Sequence, residues 1–218
     1  MSQGAKKTHQ KRSRQTRDKL LNALEDLLRE KDFADISVAE IAATAGVSPA
    51  SIYRRFDGKK GFIPVLFDLY LQRLEEWSQS ADARLELDEN CTLREALYRV
   101  ALTGWHQIQT QAHIMRAVHL HGRNHLGLMN GKDGAYEEAT LNAMRMLVSL
   151  FEHEIKRKDK DKSARMLAYY LNNIMLEKGL FGDEGATFRL TLDSEAFAHE
   201  IADFAYGYLT TKEQKPPS

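Results

Sequence analysis

Cysteine is nearly absent: Cys91 stands alone in 218 residues. One thiol makes neither an intrachain disulfide nor a cysteine-based zinc site, and such usage fits a reducing compartment. Helix breakers are scarce too, with four prolines and thirteen glycines; beside many Leu, Ala, Glu, Lys and Arg residues, this favours helix over sheet. No long apolar run occurs. The most apolar stretch, Phe62–Leu71, is interrupted by Pro64 and Asp68 and is too short to span a bilayer. The basic opening, MSQGAKKTHQKRSRQTR, leads into no apolar segment of the kind a secretory signal needs. The expectation is a soluble, cytoplasmic protein.

Net charge is also lacking, since 31 Lys and Arg balance 31 Asp and Glu. Its distribution is uneven. Residues 1–62 carry 13 cations against 8 carboxylates, a net of +5, and the remainder is −5. A basic N-terminal module on an acidic body is a charge layout suited to a DNA-binding head and a trunk that does not bind DNA.

Helical periodicity runs through the chain. Leu20, Leu24, Leu27 and Leu28 mark a helix over about 16–31, broken by Asp32-Phe33-Ala34-Asp35. Ser37 followed by Glu40 is a capping box that starts a short helix with Val38, Ile41 and Ala42 inward. Ser48-Pro49 is a second start signal. A fourth helix is expected from near Lys59 or Gly61 to about Ser80, with Val65, Leu66, Leu69, Leu74 and Trp77 as its apolar side and a distortion at Pro64. Further helices are expected over 92–108, 112–121, 135–157, 163–178 and 194–211. Gly122–Gly134, the charged hinge Lys156–Lys162, and Gly179–Asp193 are read as connections, with a short extended piece at Thr187–Leu192. The fold class is all-α, with about nine helices.

The functional signal lies in Ala42-Ala43-Thr44-Ala45-Gly46-Val47-Ser48-Pro49-Ala50-Ser51-Ile52-Tyr53-Arg54-Arg55-Phe56. A small residue, a glycine four positions on and an aliphatic six beyond that form the skeleton of a helix-turn-helix. Gly46 can adopt the left-handed backbone of the turn, and Ile52 pins the second helix to the core. The outward side of that helix carries Ser, Ala, Tyr and Arg and suits entry into a major groove. Ser48 and Ser51 hydroxyls are placed to approach phosphates and base edges, and Pro49 and Ala50 are small enough to meet thymine methyls. Tyr53 suits a phosphate or methyl contact. Arg54 or Arg55 can pair bidentately with guanine, a contact worth about 1–3 kcal/mol of discrimination. Arg14 and Arg17 can track the backbone or the adjacent groove.

Residues 14–70 resemble the DNA-binding domain of TetR-like transcriptional regulators. The resemblance rests on the Leu-rich first helix ending in Asp32-Phe33, on Ser37-Val38-x-x-Ile41-Ala42, on Gly46-Val47-Ser48-Pro49, and on Ile52-Tyr53-x-x-Phe56 followed by Lys59. Two departures stand out. Arg54-Arg55 replaces an aromatic and a histidine or small polar residue, and Gly58 replaces a polar cap, weakening it by a few tenths of a kcal/mol. The resemblance implies a repressor that binds a palindromic operator as a homodimer, its two reading heads about 34–36 Å apart. It adds phosphate contacts from Lys59 and Ser37, and release by a small-molecule effector. It divides the chain into a flexible basic tail (1–13), a helix-turn-helix domain (14–62), an effector-binding and dimerisation domain (63–212) and a short tail (213–218). The implied dimer is a four-helix bundle from the last two long helices, which offer Leu167, Tyr170, Ile174, Phe197, Ile201, Phe204 and Tyr208. The effector cavity is implied among Tyr98, Trp105, His106, Gln109, His113, Tyr136, Met144 and Arg145, with Gly104 relieving crowding at Trp105.

Five of the eight histidines, His106, His113, His119, His121 and His125, fall within twenty residues. Imidazoles bind zinc or nickel, so a metal-responsive regulator or helical metal-binding protein is the alternative. The spacing works against it, because it does not place three on one helical face. No Ser/His/Asp constellation, phosphate loop or paired ligand motif is present, so neither an enzyme nor a cofactor is expected. A non-specific architectural DNA binder is disfavoured by the confinement of positive charge to one end.

Overall fold

The computed structural model describes residues 2–85, 87, 90–123, 132–185 and 189–213. Among them are eight α-helices, three short 3₁₀ turns and no strand: α1 (Ser2–Leu28), α2 (Val38–Thr44), α3 (Ala50–Tyr53), α4 (Ile63–Ser78), α5 (Leu93–Arg123), α6 (Lys132–Leu150), α7 (Lys160–Gly185) and α8 (Ser194–Thr210). The all-α expectation holds with eight helices instead of about nine. The two expected over 92–108 and 112–121 are one 31-residue helix, α5. Gln109-Thr110-Gln111-Ala112 is polar but contains no breaker, so the backbone ladder continues through it. The chain splits into two compact units: Met1–Gln72 with His113–Asn130, and Arg73–Ala112 with Gly131–Ser218.

In the first unit, α1 lays down Leu20, Ala23, Leu24 and Leu28 at helical spacing, all buried, against α2. Its start at Ser2 runs through the stretch read as a flexible tail. Ile36, Ile41 and Ile52 close the same core, and Val38 is only half-buried. A 3₁₀ turn at Lys60–Phe62 precedes α4, which places Pro64 in the first helical turn, where no amide is needed. The buried face of α4 is Ile63, Leu66, Phe67 and Tyr70. Of the expected stripe only Leu66 is buried; Val65, Leu69, Leu74 and Trp77 are half-exposed. Spacing alone allowed either side, and the buried one is the i, i+3, i+4, i+7 set beginning at Ile63.

In the second unit, α6 packs along α7, and α7 meets α8. α6 ends at Leu150, short of the expected Arg157; Phe151 and Ile155 remain buried, in a turn and loop instead of a helix. The connection is pinned: the Lys156 amide donates to the Leu209 carbonyl at 3.0 Å, and the Asp159 carboxylate accepts from the Lys162 amide at 2.9 Å. α7 continues past Lys178, so 179–185 is helical, not a loop. No strand forms over 189–192, and Thr187 lies outside the described residues.

Trp105 anchors this unit's core. Its indole N–H donates to the Ser194 hydroxyl at 3.1 Å and its ring meets Phe197 edge-on at 4.9 Å. Gly179, not Gly104, makes room for it. A Cβ on Gly179 would stand 2.7 Å from Ile108 Cγ2 and 3.4 Å from Trp105 Cζ3, whereas one on Gly104 would meet only the flexible Met175 side chain, Sδ at 3.4 Å and Cε at 3.8 Å. Gly179→Ala is therefore expected to lower stability by about 1 kcal/mol. Overpacking of ~1–3 kcal/mol outweighs the ~1 kcal/mol that alanine contributes to a helix interior. Gly104→Ala is expected to be neutral or stabilising, and equal denaturation midpoints for the two variants would contradict this assignment.

Candidate nucleic-acid interface

α2, the turn to α3 and the turn after it are built by three local devices. Ser37 and Glu40 form a reciprocal capping box: the Glu40 amide donates to Ser37 Oγ at 3.1 Å, and the Ser37 amide donates to Glu40 Oε2 at 2.8 Å. Lys31 Nζ donates to the other Glu40 oxygen at 2.9 Å. At the far end, the Gly46 amide bonds the Ala43 carbonyl and the Val47 amide bonds the Ala42 carbonyl, at 3.0 and 2.9 Å, closing a Schellman motif. Gly46 has φ +65°, the left-handed conformation this motif needs. Gly58, read from sequence as a weakened cap, has φ +60° and turns the chain after α3, so glycine is required there by backbone geometry. Phe56 is then brought over Phe62, ring centroids 3.9 Å apart.

Lys31, followed by the two Ser37 groups, holds the Glu40 carboxyl at a pKa of about 2, below its ordinary 4.5. A depressed carboxylate pKa means the unfolded chain takes up the proton first, so the stabilisation is complete above the ordinary value and fades as pH falls toward about 2. Glu40→Gln is expected to lower the thermal midpoint near neutrality. The gap from the unsubstituted chain should then shrink as pH drops from about 4.5 to about 2. A gap independent of pH would assign Glu40 a purely steric role.

α3 is short, four residues with Pro49 at its N-cap, and Ser48 makes no capping bond to it. Its sides are sharply divided. Ser51 and Ile52 are buried, while Ser48, Pro49, Ala50, Tyr53 and Arg54 are exposed, Tyr53 at 64%. Ser51, expected at the DNA surface, instead uses its hydroxyl internally, 3.2 Å from Ser48 Oγ and accepting from Arg54 at 3.1 Å. The two arginines separate. Arg54 is exposed, its guanidinium steadied by Ser51. Arg55 is half-buried, donates to the Ser51 carbonyl at 3.0 Å, and has a buried Nε without a partner.

Lys59 is half-buried and engaged within the unit. Its Nζ donates to the Ala34 carbonyl at 2.9 Å and lies 4.7 Å from the Phe33 ring centroid. Burial lowers its pKa against the opposing pull of Asp35 and Glu40. It ties the segment after α3 to the α1–α2 connection, where the resemblance implied a phosphate clamp. Ser37 is exposed, with its hydroxyl engaged by the cap. Arg14 and Arg17 are exposed on α1.

The residues implied as an effector cavity have separate local partners among the described residues. His113 belongs to the first unit, with Nε2 3.2 Å from the buried Glu25 carboxylate, which also accepts from Arg29 at 2.7 Å. His106 and Gln109 are exposed. Tyr98 stacks on His199 at 4.0 Å, and the Tyr136 hydroxyl donates to Asn172 at 2.8 Å. Arg145 pairs with Asp161 at 2.7 Å, whereas Trp105 and Met144 are core. The buried Glu25 on the polar side of a leucine-rich helix gave no signal in the sequence. Among the described residues no group of three or more His, Cys, Asp or Glu is placed to hold a metal ion; His125 lies outside them. No described helix is long and apolar enough to cross a membrane.

The candidate dimer residues sort by burial. Leu167, Phe197 and Ile201 are buried in their own unit's core, and Leu167 also lines the groove along α7 and α8. Phe204 is 69% exposed. Tyr170, Ile174 and Tyr208 are half-buried, Tyr170 with its ring 6.4 Å from Phe204 and Tyr208 beneath the Arg157 guanidinium at 4.1 Å. Burial, with a smaller push from Glu200, raises the Tyr170 hydroxyl pKa to about 12. Met166 and Tyr169, which the sequence stripes missed, are exposed on α7. Met166, Tyr170, Phe204 and Tyr208 line an almost wholly apolar groove of about 210 Å³ along α7 and α8.

Residues 20–64 match the family model of bacterial regulatory proteins of the tetR family. Comparison with curated proteins gives no match. Among solved structures, the fatty acid degradation regulator FadR from Bacillus halodurans is 18% identical with a TM-score of 0.60, covering 89% of this chain and 96% of its own. NalD, the secondary repressor of the MexAB-OprM multidrug efflux pump in Pseudomonas aeruginosa, is 18% identical with a TM-score of 0.58, covering 90% and 96%. A transcriptional regulator from Rhodococcus sp. Rha1 is 17% identical with a TM-score of 0.59, covering 88% and 94%. At such identities these likenesses concern the fold.

Proposed function

We propose, from the premise that residues 20–64 belong to the tetR family of bacterial regulatory proteins, that this chain is a repressor that reads a palindromic operator as a homodimer and is released by a small-molecule effector. Regulators of this family bind DNA operators and small-molecule effectors, typically as dimers. The observation that carries the reading is the division of α3. A Schellman turn at Gly46 aims Pro49, Ala50, Tyr53 and Arg54 outward while Ser51 and Ile52 anchor the helix from behind. Small Pro49 and Ala50 admit close approach to base edges, Tyr53 and Ser48 meet phosphate or methyl groups, and Arg54 supplies the guanine-type contact.

One short helix reads few bases, so specificity needs two heads. The apolar groove of α7 and α8, with Phe204 exposed beside it, supports a self-association face. Effector binding to the second unit would favour one separation of the heads over another, coupling occupancy to operator affinity. Selection of bound sequences from a random DNA pool tests the reading directly. An enriched palindrome with half-sites one helical turn apart is expected, and a pool with no enriched sequence would overturn it.

A further inference from the structure

The first half of α1 holds more charge than the backbone contacts of Arg14 and Arg17 account for. Residues 2–19 carry Lys6, Lys7, Lys11, Arg12, Arg14, Arg17 and Lys19 against the single carboxylate of Asp18. From residue 11 to residue 19 no side chain is buried; burial begins at Leu20. Lys11, Arg14 and Arg17 are exposed and follow one another at three-residue steps, which sets them along one side of the helix, and Lys7 continues the register by position. Elsewhere in the same unit cations are engaged: Arg29 with Glu25 and Asp26, Lys31 with Glu40, Lys60 with Asp57. Lys11, Arg12, Arg14, Arg17 and Lys19 have no carboxylate partner among the described residues.

The stretch 11–19, polar all round and burying no side chain, draws no stability from packing, and like charges at three-residue spacing oppose it. A regular array of anions reverses that penalty. We propose that residues 6–19 form a phosphate-tracking arm that lies along the duplex flanking each operator half-site and supplies sequence-independent affinity. The inference rests on the DNA-reading role proposed above and adds a second contact surface to it. Duplex DNA is favoured over a lipid surface for two reasons. Residues 6–19 contain no apolar side chain to insert among acyl chains. The same helix continues directly into the Leu20–Leu28 wall of the reading unit. At 1.5 Å per residue the eighteen residues 2–19 extend about 27 Å, most of one turn of duplex.

The test uses the full chain carrying Lys6→Gln, Lys7→Gln, Lys11→Gln and Arg12→Gln together. Affinity is measured against salt on the selected operator with long flanks and on random duplex. Each lost phosphate contact should reduce the slope of log K against log salt by about 0.9. The expected result is a slope shallower by about 2–4 on both duplexes, with the preference for operator over random DNA kept within about twofold. An unchanged slope on both overturns the arm, as does a variant that loses binding only to vesicles rich in phosphatidylserine. If the unsubstituted chain shows no preference for any sequence while the slope still falls on random duplex, the operator reading fails and the arm stands.

Discussion

Phe204→Asp is expected to leave each chain folded, convert the proposed dimer to monomer, and weaken operator binding by about a hundredfold or more. Phe204 is the residue to change because it is 69% exposed beside the groove lined by Met166, Tyr170 and Tyr208. Leu167, Phe197 and Ile201, at no more than 2% exposure, serve the core, and their loss would unfold the unit before it tested the interface. A carboxylate on the α8 surface costs the monomer little, since water already reaches the position. In a self-associated interface it would be desolvated without a partner, against a like charge from the second chain. Linking two heads raises affinity by about 10²–10⁴ over one head, and monomerisation forfeits that factor. Sedimentation and operator titration on the same preparation check both halves. A dimer that persists with full operator affinity would place the interface elsewhere.

Arg54→Ala is expected to reduce affinity for the selected operator by about 5–150-fold, the equivalent of the ~1–3 kcal/mol carried by one bidentate base contact. Affinity for random duplex should fall by no more than a single phosphate contact allows, and the dimer should be unaffected. Arg55→Ala should behave differently, because Arg55 is half-buried and bonded to the Ser51 carbonyl. Its removal is expected to lower thermal stability of the first unit while leaving the ratio of operator to random binding near its starting value. Reversed outcomes, with Arg55 governing sequence preference, would mean that the guanidiniums exchange places on binding DNA.

The two arginines also show how far a sequence can be read. Both sit in the same polar stretch, and nothing in their neighbours separates one from the other. Separation came in the folded chain, where Arg55 is half-buried and bonded to the Ser51 carbonyl while Arg54 is left in water. Ser51 was misplaced for a related reason. Serine at an inward position close to the start of a short helix looks like a surface hydroxyl until its neighbours supply hydrogen bonds. The effector cavity implied across residues 98–145 was joined by resemblance and not by a local rule. His113 fell into the first unit once α5 proved continuous.

By itself the sequence determined the local devices: the Ser37–Glu40 capping box, the glycine turn at Gly46, the leucine face of α1 and the family resemblance of residues 20–64. Each depends on residues within one or two helical turns, where backbone geometry and side-chain reach leave few alternatives. Tertiary structure alone decided which face of α4 is buried, that Gly179 yields to Trp105, that Lys59 bonds Ala34, and which residues of α7 and α8 are left for a partner. Those outcomes depend on which surfaces meet across long stretches of chain, and an amphipathic stripe does not state what it will be buried against.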